Sequence, residues 1–239
     1  MCVVAIAWDC HPRWHLILAG NRDEFHGRPA AALDRWAEAP HVIGGRDLQS
    51  GGSWLGVSEQ GRRMAVVTNL TGFGDPDPEA ASRGELIADF LKGVGSYQAL
   101  PLGDLSLFNA FNLFVIDDGQ ARFLTNRPLP FGQDILPGVH ALSNGTRDLA
   151  WPRKERLVAA VSDWLAGAAI NPLDLLEALR DTSGAGSDLH RPVFIDGPVY
   201  GTRCSTIVAI DHARNGMIVE RRFGPSGAAN GETRLSFSW

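Results

Sequence analysis

Lysine is almost missing from this chain of 239 residues: Lys92 and Lys154 are the only two, and no block of Lys or Arg stands anywhere along it. With a net charge of −5, that leaves no basic footprint of the kind a nucleic-acid-binding surface needs. Cysteine is scarce too. Cys2, Cys10 and Cys204 are too few and too scattered for a disulfide framework or a zinc site, and the count fits a reducing, cytoplasmic setting. No apolar run approaches the roughly 18 residues a membrane span requires. The apolar start, Val3 to Trp8, ends at Asp9, His11 and Arg13 and lacks the basic region and cleavage site of a signal peptide. Several common signatures are absent as well. There is no Gly-x-x-x-x-Gly-Lys-Ser/Thr loop, no Gly-x-Gly-x-x-Gly after a strand, no His-Glu-x-x-His, no Gly-x-Ser-x-Gly and no Cys-x-x-Cys-His. His11, His26, His140 and His190 show no metal-ligand spacing, so no metal and no required cofactor is expected.

What is present reads as one soluble globular domain over residues 1–239. Hydrophobic content of 44% and charged content of 21% are ordinary, and there is no repeat or linker to mark a boundary. Val3 to Trp8 reads as a buried strand, and Trp14 to Ala19 as its hairpin partner. Gly20 to Asp23 reads as a loop leaving that strand. Ala30 to Pro40 reads as irregular or weakly helical, with strands at Trp54–Ser58 and Arg63–Asn69. Ser82 to Lys92 is the first clear helix, with Ser82 and Glu85 spaced as a capping box. Strands follow at Phe111–Ile116, Ala121–Leu124 and Gly138–Asn144. Helices then read at Pro152–Leu165 and Pro172–Arg180, with a glycine- and serine-rich stretch at Thr182–Asp188. Tyr200–Ile210 and Met217–Phe223 close as a hairpin, and Leu235–Trp239 reads as an edge strand. Strands pair with sequence neighbours rather than alternating with helices, which indicates an α+β fold with antiparallel sheets.

The chemistry is expected at the first residue after the start methionine. Removal of Met1 would leave Cys2 with both a thiol and a free α-amine, titrating near about 8.5 and 8. The amine can take the thiol proton, and the thiolate is the nucleophile. A buried small hydrophobe is the plainer account of Cys2 taken alone. Polar residues at strand ends supply the remaining roles such a hydrolase needs. Asp23 is placed to hold the amine and Arg22 to sit near sulfur, while Asn69 and Asn144 can donate to an oxyanion. The same residues also suit an ion pair of Arg22 with Asp23 or Glu24, and strand-end capping by the asparagines. The pairs Gly44-Gly45 and Gly51-Gly52 suit tight turns, with a pocket wall near Trp54 as the alternative.

Eight segments in order resemble the NRDE family, also called the Transport and Golgi organisation 2 family: Met1-Cys2, Asn21-Arg22-Asp23-Glu24-Phe25, Gly45-Arg46-Asp47, Gly51-Gly52-Ser53-Trp54-Leu55-Gly56, Thr68-Asn69, Ser82-Arg83-Gly84, Phe111-Asn112-Leu113 and Tyr200-Gly201-Thr202-Arg203. A more distant likeness is to the cholylglycine hydrolase and penicillin V acylase branch of N-terminal nucleophile hydrolases. The resemblance implies a four-layer αββα sandwich of antiparallel sheets. It implies catalytic roles for Cys2, Arg22, Asp23, Asn69, Asn144 and Arg203, with Glu24, Trp54 and Gly52 bordering substrate. Here Arg22 is followed at once by Asp23 and Glu24, where those hydrolases place the acid three residues on. The implied function is a cysteine hydrolase acting on a small amide or an acyl thioester. The alternative it implies is a haem or acyl-CoA/lipid binding and trafficking protein on the same scaffold. Its partners would then be small molecules, with no nucleic acid and no membrane span.

Overall fold

In chain order the strands and helices begin with β1 (Cys2–Trp8), β2 (Trp14–Phe25), β3 (Ala30–Trp36), β4 (Ala39–Asp47), β5 (Leu55–Ser58) and β6 (Arg63–Asn69). They continue with α1 (Arg83–Lys92), β7 (Phe111–Asp117), β8 (Gln120–Thr125), β9 (Phe131–Asp134), β10 (Gly138–Leu142) and α2 (Pro152–Ala166). The last are α3 (Leu175–Ala178), β11 (Tyr200–Asp211), β12 (Asn215–Phe223) and β13 (Ala229–Ser238). This computed structural model describes residues 2–99, 105–167, 171–184 and 191–239. Met1, His190 and residues 185–188 of the glycine- and serine-rich stretch lie outside the described residues. No helix among the described residues is long and apolar enough to cross a membrane.

The fold is α+β, built on two antiparallel sheets, and the chain divides into two compact units. The first, Met1–Gly27 with Pro137–Ser238, holds a six-stranded sheet in the order β10-β1-β2-β11-β12-β13. On one face of that sheet, Val3, Ala5, Ala7, Ile17, Ala19, Ile207 and Ala209 form a core cluster with Leu157 and Val161 of α2 and with Leu175, Leu176 and Leu179. These sheet positions are every second residue of their strands, the period that sends alternate side chains to one face. The second unit, centred on Arg28–Leu136, is a seven-stranded meander, β3 through β9 in sequence order. There α1 lays Leu86, Ile87, Phe90 and Leu91 against a cluster that includes Val42, Ala65, Val67, Leu113 and Val115.

Four local expectations change. Strand β2 does not stop at Ala19 but runs to Phe25, because Asn21–Phe25 are paired with β11 and, at Asn21 and Arg22, with β1 as well. Pairing on both edges overrides the weak strand preference of Asn and Asp. Ala30–Trp36 is a strand rather than a weak helix, held by register with β4. The helix expected from Pro172 shortens to a 3₁₀ turn at Pro172–Asp174 followed by one turn, α3. Ser82 does occupy the N-cap of α1, but its side chain makes no capping bond, and its carbonyl accepts from the amides of Glu85 and Leu86 instead.

Candidate active site

Cys2 opens β1 and lies directly across the ladder from Arg22, which pairs on its other side with Cys204. Cross-strand partners share a face, so Cys2, Arg22 and Cys204 form a row across three strands. Cys2 is 8% exposed, Arg22 8% and Cys204 6%. Burial raises the Cys2 thiol pKa, and the nearby Asp23 charge adds to that, while Arg22 and a hydrogen bond from the Asp23 amide work against it. Burial thus favours the neutral thiol over the thiolate at this position.

Strand β10 brings the next group. It pairs with β1 from Val4↔Leu142 onward, which sets Ser143 and Asn144 beside the start of β1. The Cys2 nitrogen donates to Asn144 Oδ1 at 3.0 Å, and Ser143 Oγ donates to the Cys2 carbonyl at 3.3 Å. Asn144 is fully buried. The Cys2 sulfur, its own nitrogen and a carboxamide thus stand together at one sheet end.

Arg22 and Asp23 are neighbours in sequence but leave opposite faces of β2, because they lie in a strand and not in a loop. The Asp23 carboxylate sits on the helix-covered side. Its Oδ2 meets Arg153 Nη2 of α2 at 2.7 Å, and its Oδ1 accepts from Thr202 Oγ1 at 2.7 Å. The Asp23 carbonyl accepts from the Tyr200 hydroxyl at 3.1 Å. Both charged partners of the ion pair are completely buried. Asn21, two residues earlier on the same face, donates to the carbonyls of Leu179 and Val193 and accepts from Ser205 Oγ at 2.6 Å. These bonds hold the end of β2 rigidly against the helix layer, so they fix where Arg22 and the Asp23 amide stand relative to sulfur.

The other expected residues fall as follows. Glu24 is half-buried and accepts from the Phe25 amide at 2.8 Å. Arg203 sits at a bulge between Thr202 and Cys204, where its Nη1 donates to the Phe25 carbonyl at 2.8 Å. Asn69, Trp54 and Gly52 belong to the second unit. Asn69 ends β6 opposite Phe111, and the Trp54 carbonyl accepts from the Val67 amide. Gly52 passes so close to Gly84 of α1 that an added Cβ would lie 2.1 Å from its carbonyl carbon.

Sequence reading missed Arg153, Thr202 and Tyr200. Arg153 had a signal: it continues the stripe of Leu157 and Val161 at intervals of four, and all three are buried. An arginine in the apolar stripe of a helix needs a buried acid. Thr202 and Tyr200 had none beyond their place in a family-like segment.

Comparison with known proteins places these residues in context. A family profile described as Transport and Golgi organisation 2 matches residues 1–225. The Transport and Golgi organization protein 2 homolog of Homo sapiens is 30% identical over 98% of this chain and 97% of its own length. That of Bos taurus is 31% identical over the same shares. Transport and Golgi organization protein 2 of Drosophila melanogaster is 35% identical over 58% of this chain and 55% of its own.

Proposed function

Because this chain belongs to the Transport and Golgi organisation 2 family, we propose a specific chemistry for its Cys2 end. It is a cytoplasmic N-terminal cysteine hydrolase-like protein that acts on a small amide or an acyl thioester, on an N-terminal nucleophile hydrolase-type scaffold. The observation that carries this reading is the bond from the Cys2 nitrogen to Asn144 Oδ1 at 3.0 Å. Once Met1 is removed, that nitrogen is an α-amine already oriented beside its own sulfur.

In this reading the amine takes the thiol proton as sulfur attacks the substrate carbonyl. Its lone pair is directed by Asn144, which occupies one amine hydrogen. Negative charge moves to the carbonyl oxygen, and the Asn144 carboxamide also carries an N–H₂ group able to donate to it. Collapse expels the amine or thiol leaving group, which receives the proton from the ammonium. Water, deprotonated by the amine, then releases the acid and restores Cys2. Arg22 opposes the burial penalty on any thiolate, and the bound Asp23–Arg153 pair serves to position the end of β2.

Two observations favour a second reading, a non-catalytic haem or acyl-CoA/lipid binding protein on the same scaffold. The Cys2 thiol is raised rather than lowered, and the Asp23 carboxylate is engaged by Arg153 and Thr202. The test combines intact mass, to establish whether Met1 is removed, with turnover of short amide and acyl-thioester substrates by wild type and Cys2→Ala. Turnover confined to the wild type supports hydrolysis. Equal turnover in both proteins sinks it, and saturable haem or acyl-CoA binding by both without turnover establishes the second reading.

A further inference from the structure

At the other end of the first sheet, two turns bring together side chains that sequence spacing did not connect. Asp9 directly follows β1, His15 is the second residue of β2, and His212 directly follows β11. One ligand-capable atom from each lies within 4.8 Å of the other two. Cys2 begins β1 and Asp9 follows its last residue, so at about 3.3 Å per residue this cluster is about 20 Å along the strand from the sulfur. It takes no part in the chemistry proposed above.

The geometry of each ligand is specific. His15 Nδ1 stands 3.3 Å from Asp9 Oδ1. That is long for a charge-assisted hydrogen bond, about 2.7–2.9 Å. It equals the separation of about 3.3 Å between two ligands of a tetrahedral ion bound at about 2.05 Å. His212 Nε2 lies 2.9 Å from the His11 carbonyl. A carbonyl only accepts, so Nε2 carries the proton and Nδ1 keeps its lone pair. His212 would then ligate through Nδ1, since metal-bound imidazoles are anchored through the nitrogen that does not ligate. His15 is 6% exposed and its Nε2 has no hydrogen-bond partner among the described residues, so no second contact dictates its tautomer. The plainer account is a proton on His15 Nδ1 shared with Asp9.

We propose that Asp9, His15 and His212 bind one divalent first-row transition ion of the Zn²⁺ class, with a coordination position left open, and that the ion clasps the β1–β2 turn to the β11–β12 turn. Two imidazoles and one carboxylate suit such ions and disfavour the all-oxygen cations Mg²⁺ and Ca²⁺. The positive charge of Arg214 is felt at His15 and sets a limit on affinity.

Chelator-stripped full-length protein titrated with Zn²⁺ alone, by calorimetry and by thermal unfolding, tests this. One ion per chain and a raised midpoint are expected. Asp9 and His212 are both exposed, so Asp9→Asn and His212→Ala leave the core intact, and each weakens binding at least tenfold, the lower range known even for outer-shell losses. Arg214→Gln tightens binding by removing a like charge. Cys10→Ser changes nothing, although Cys10 is an exposed thiol beside the cluster. The same affinity in His212→Ala as in wild type overturns the proposal. So does binding that disappears with Cys10→Ser, or no stoichiometric uptake at all.

Discussion

Replacing Arg153 with methionine probes the ion pair that holds the end of β2. Arg153 Nη2 binds Asp23 Oδ2 at 2.7 Å and the Val193 carbonyl at 3.0 Å, and neither charged side chain has any exposure. With no solvent to screen the carboxylate, truncating the arginine strands a buried charge, a loss of about 3–5 kcal/mol. At an m-value of about 3 kcal/mol/M, the upper part of the urea range for small proteins, the unfolding midpoint drops by about 1–1.7 M. A second substitution sharpens the case. Asp23→Asn keeps an oxygen for Thr202 Oγ1, which donates to Asp23 Oδ1, while removing the charge. Arg153 Nε and Nη1 have no hydrogen-bond partner among the described residues, so the pair is imperfectly satisfied and its joint removal is cheaper than breaking it. The double variant Asp23→Asn/Arg153→Met is therefore expected to regain about 1–3 kcal/mol over Arg153→Met alone, within the range of couplings measured for contacting residues. Urea unfolding followed by tryptophan fluorescence provides the measurement. A midpoint for Arg153→Met within 0.3 M of wild type, about 1 kcal/mol, refutes the reasoning, and so do strictly additive effects.

Alkaline pH should erode stability. Burial is the first cause that raises the Cys2 and Cys204 thiols and the Tyr200 hydroxyl. The folded chain therefore keeps these protons to higher pH than the unfolded chain, which releases them near about 8.5 for Cys and about 10 for Tyr. Their contribution is complete below about pH 8.5 and is lost as pH rises past it. Urea midpoints between pH 8 and 11 should fall, and fall less steeply in Cys204→Ala; an unchanged slope in that variant contradicts the assignment. In the second unit, Gly52→Ala forces a methyl to within 2.1 Å of the Gly84 backbone. A backbone shift of that kind costs about 1–3 kcal/mol, and a thermal midpoint equal to wild type would show that the close approach is not real.

Much of the architecture was legible because it follows from local periodicity. The first hairpin, α1, α2 and the β11–β12 pair all carry apolar repeats of two or four that a strand or helix must bury. The misreadings occur where pairing partners decide. Asn21-Arg22-Asp23-Glu24 carries turn-forming residues, yet it is a strand because β11 flanks it throughout and β1 flanks its first two residues. Ala30–Trp36 has little strand character and becomes one through β4. The candidate site shows the same division. Cys2, Arg22, Asn144 and Asp23 were legible as types, and Arg22 as a neighbour of the Cys2 sulfur, but the bond of Asn144 to the Cys2 nitrogen and the pairing of Asp23 with Arg153 were not.

The sequence by itself determined the family, the α+β class, and the placing of a cysteine after the start methionine with an asparagine-arginine-aspartate run to follow. Those are properties of residue order and of local patterns, which need no long-range contact to be read. Only the tertiary structure decided which group meets which. Strand alternation sent Arg22 to the Cys2 face and Asp23 to the helix face, where Arg153 meets it. The β1–β10 register set Asn144 against the Cys2 nitrogen. The β1–β2 and β11–β12 turns together gathered Asp9, His15 and His212. Each of these meetings depends on strand register across distant segments. A shift of one residue reverses every side chain's face, and the linear order of residues does not encode that register locally.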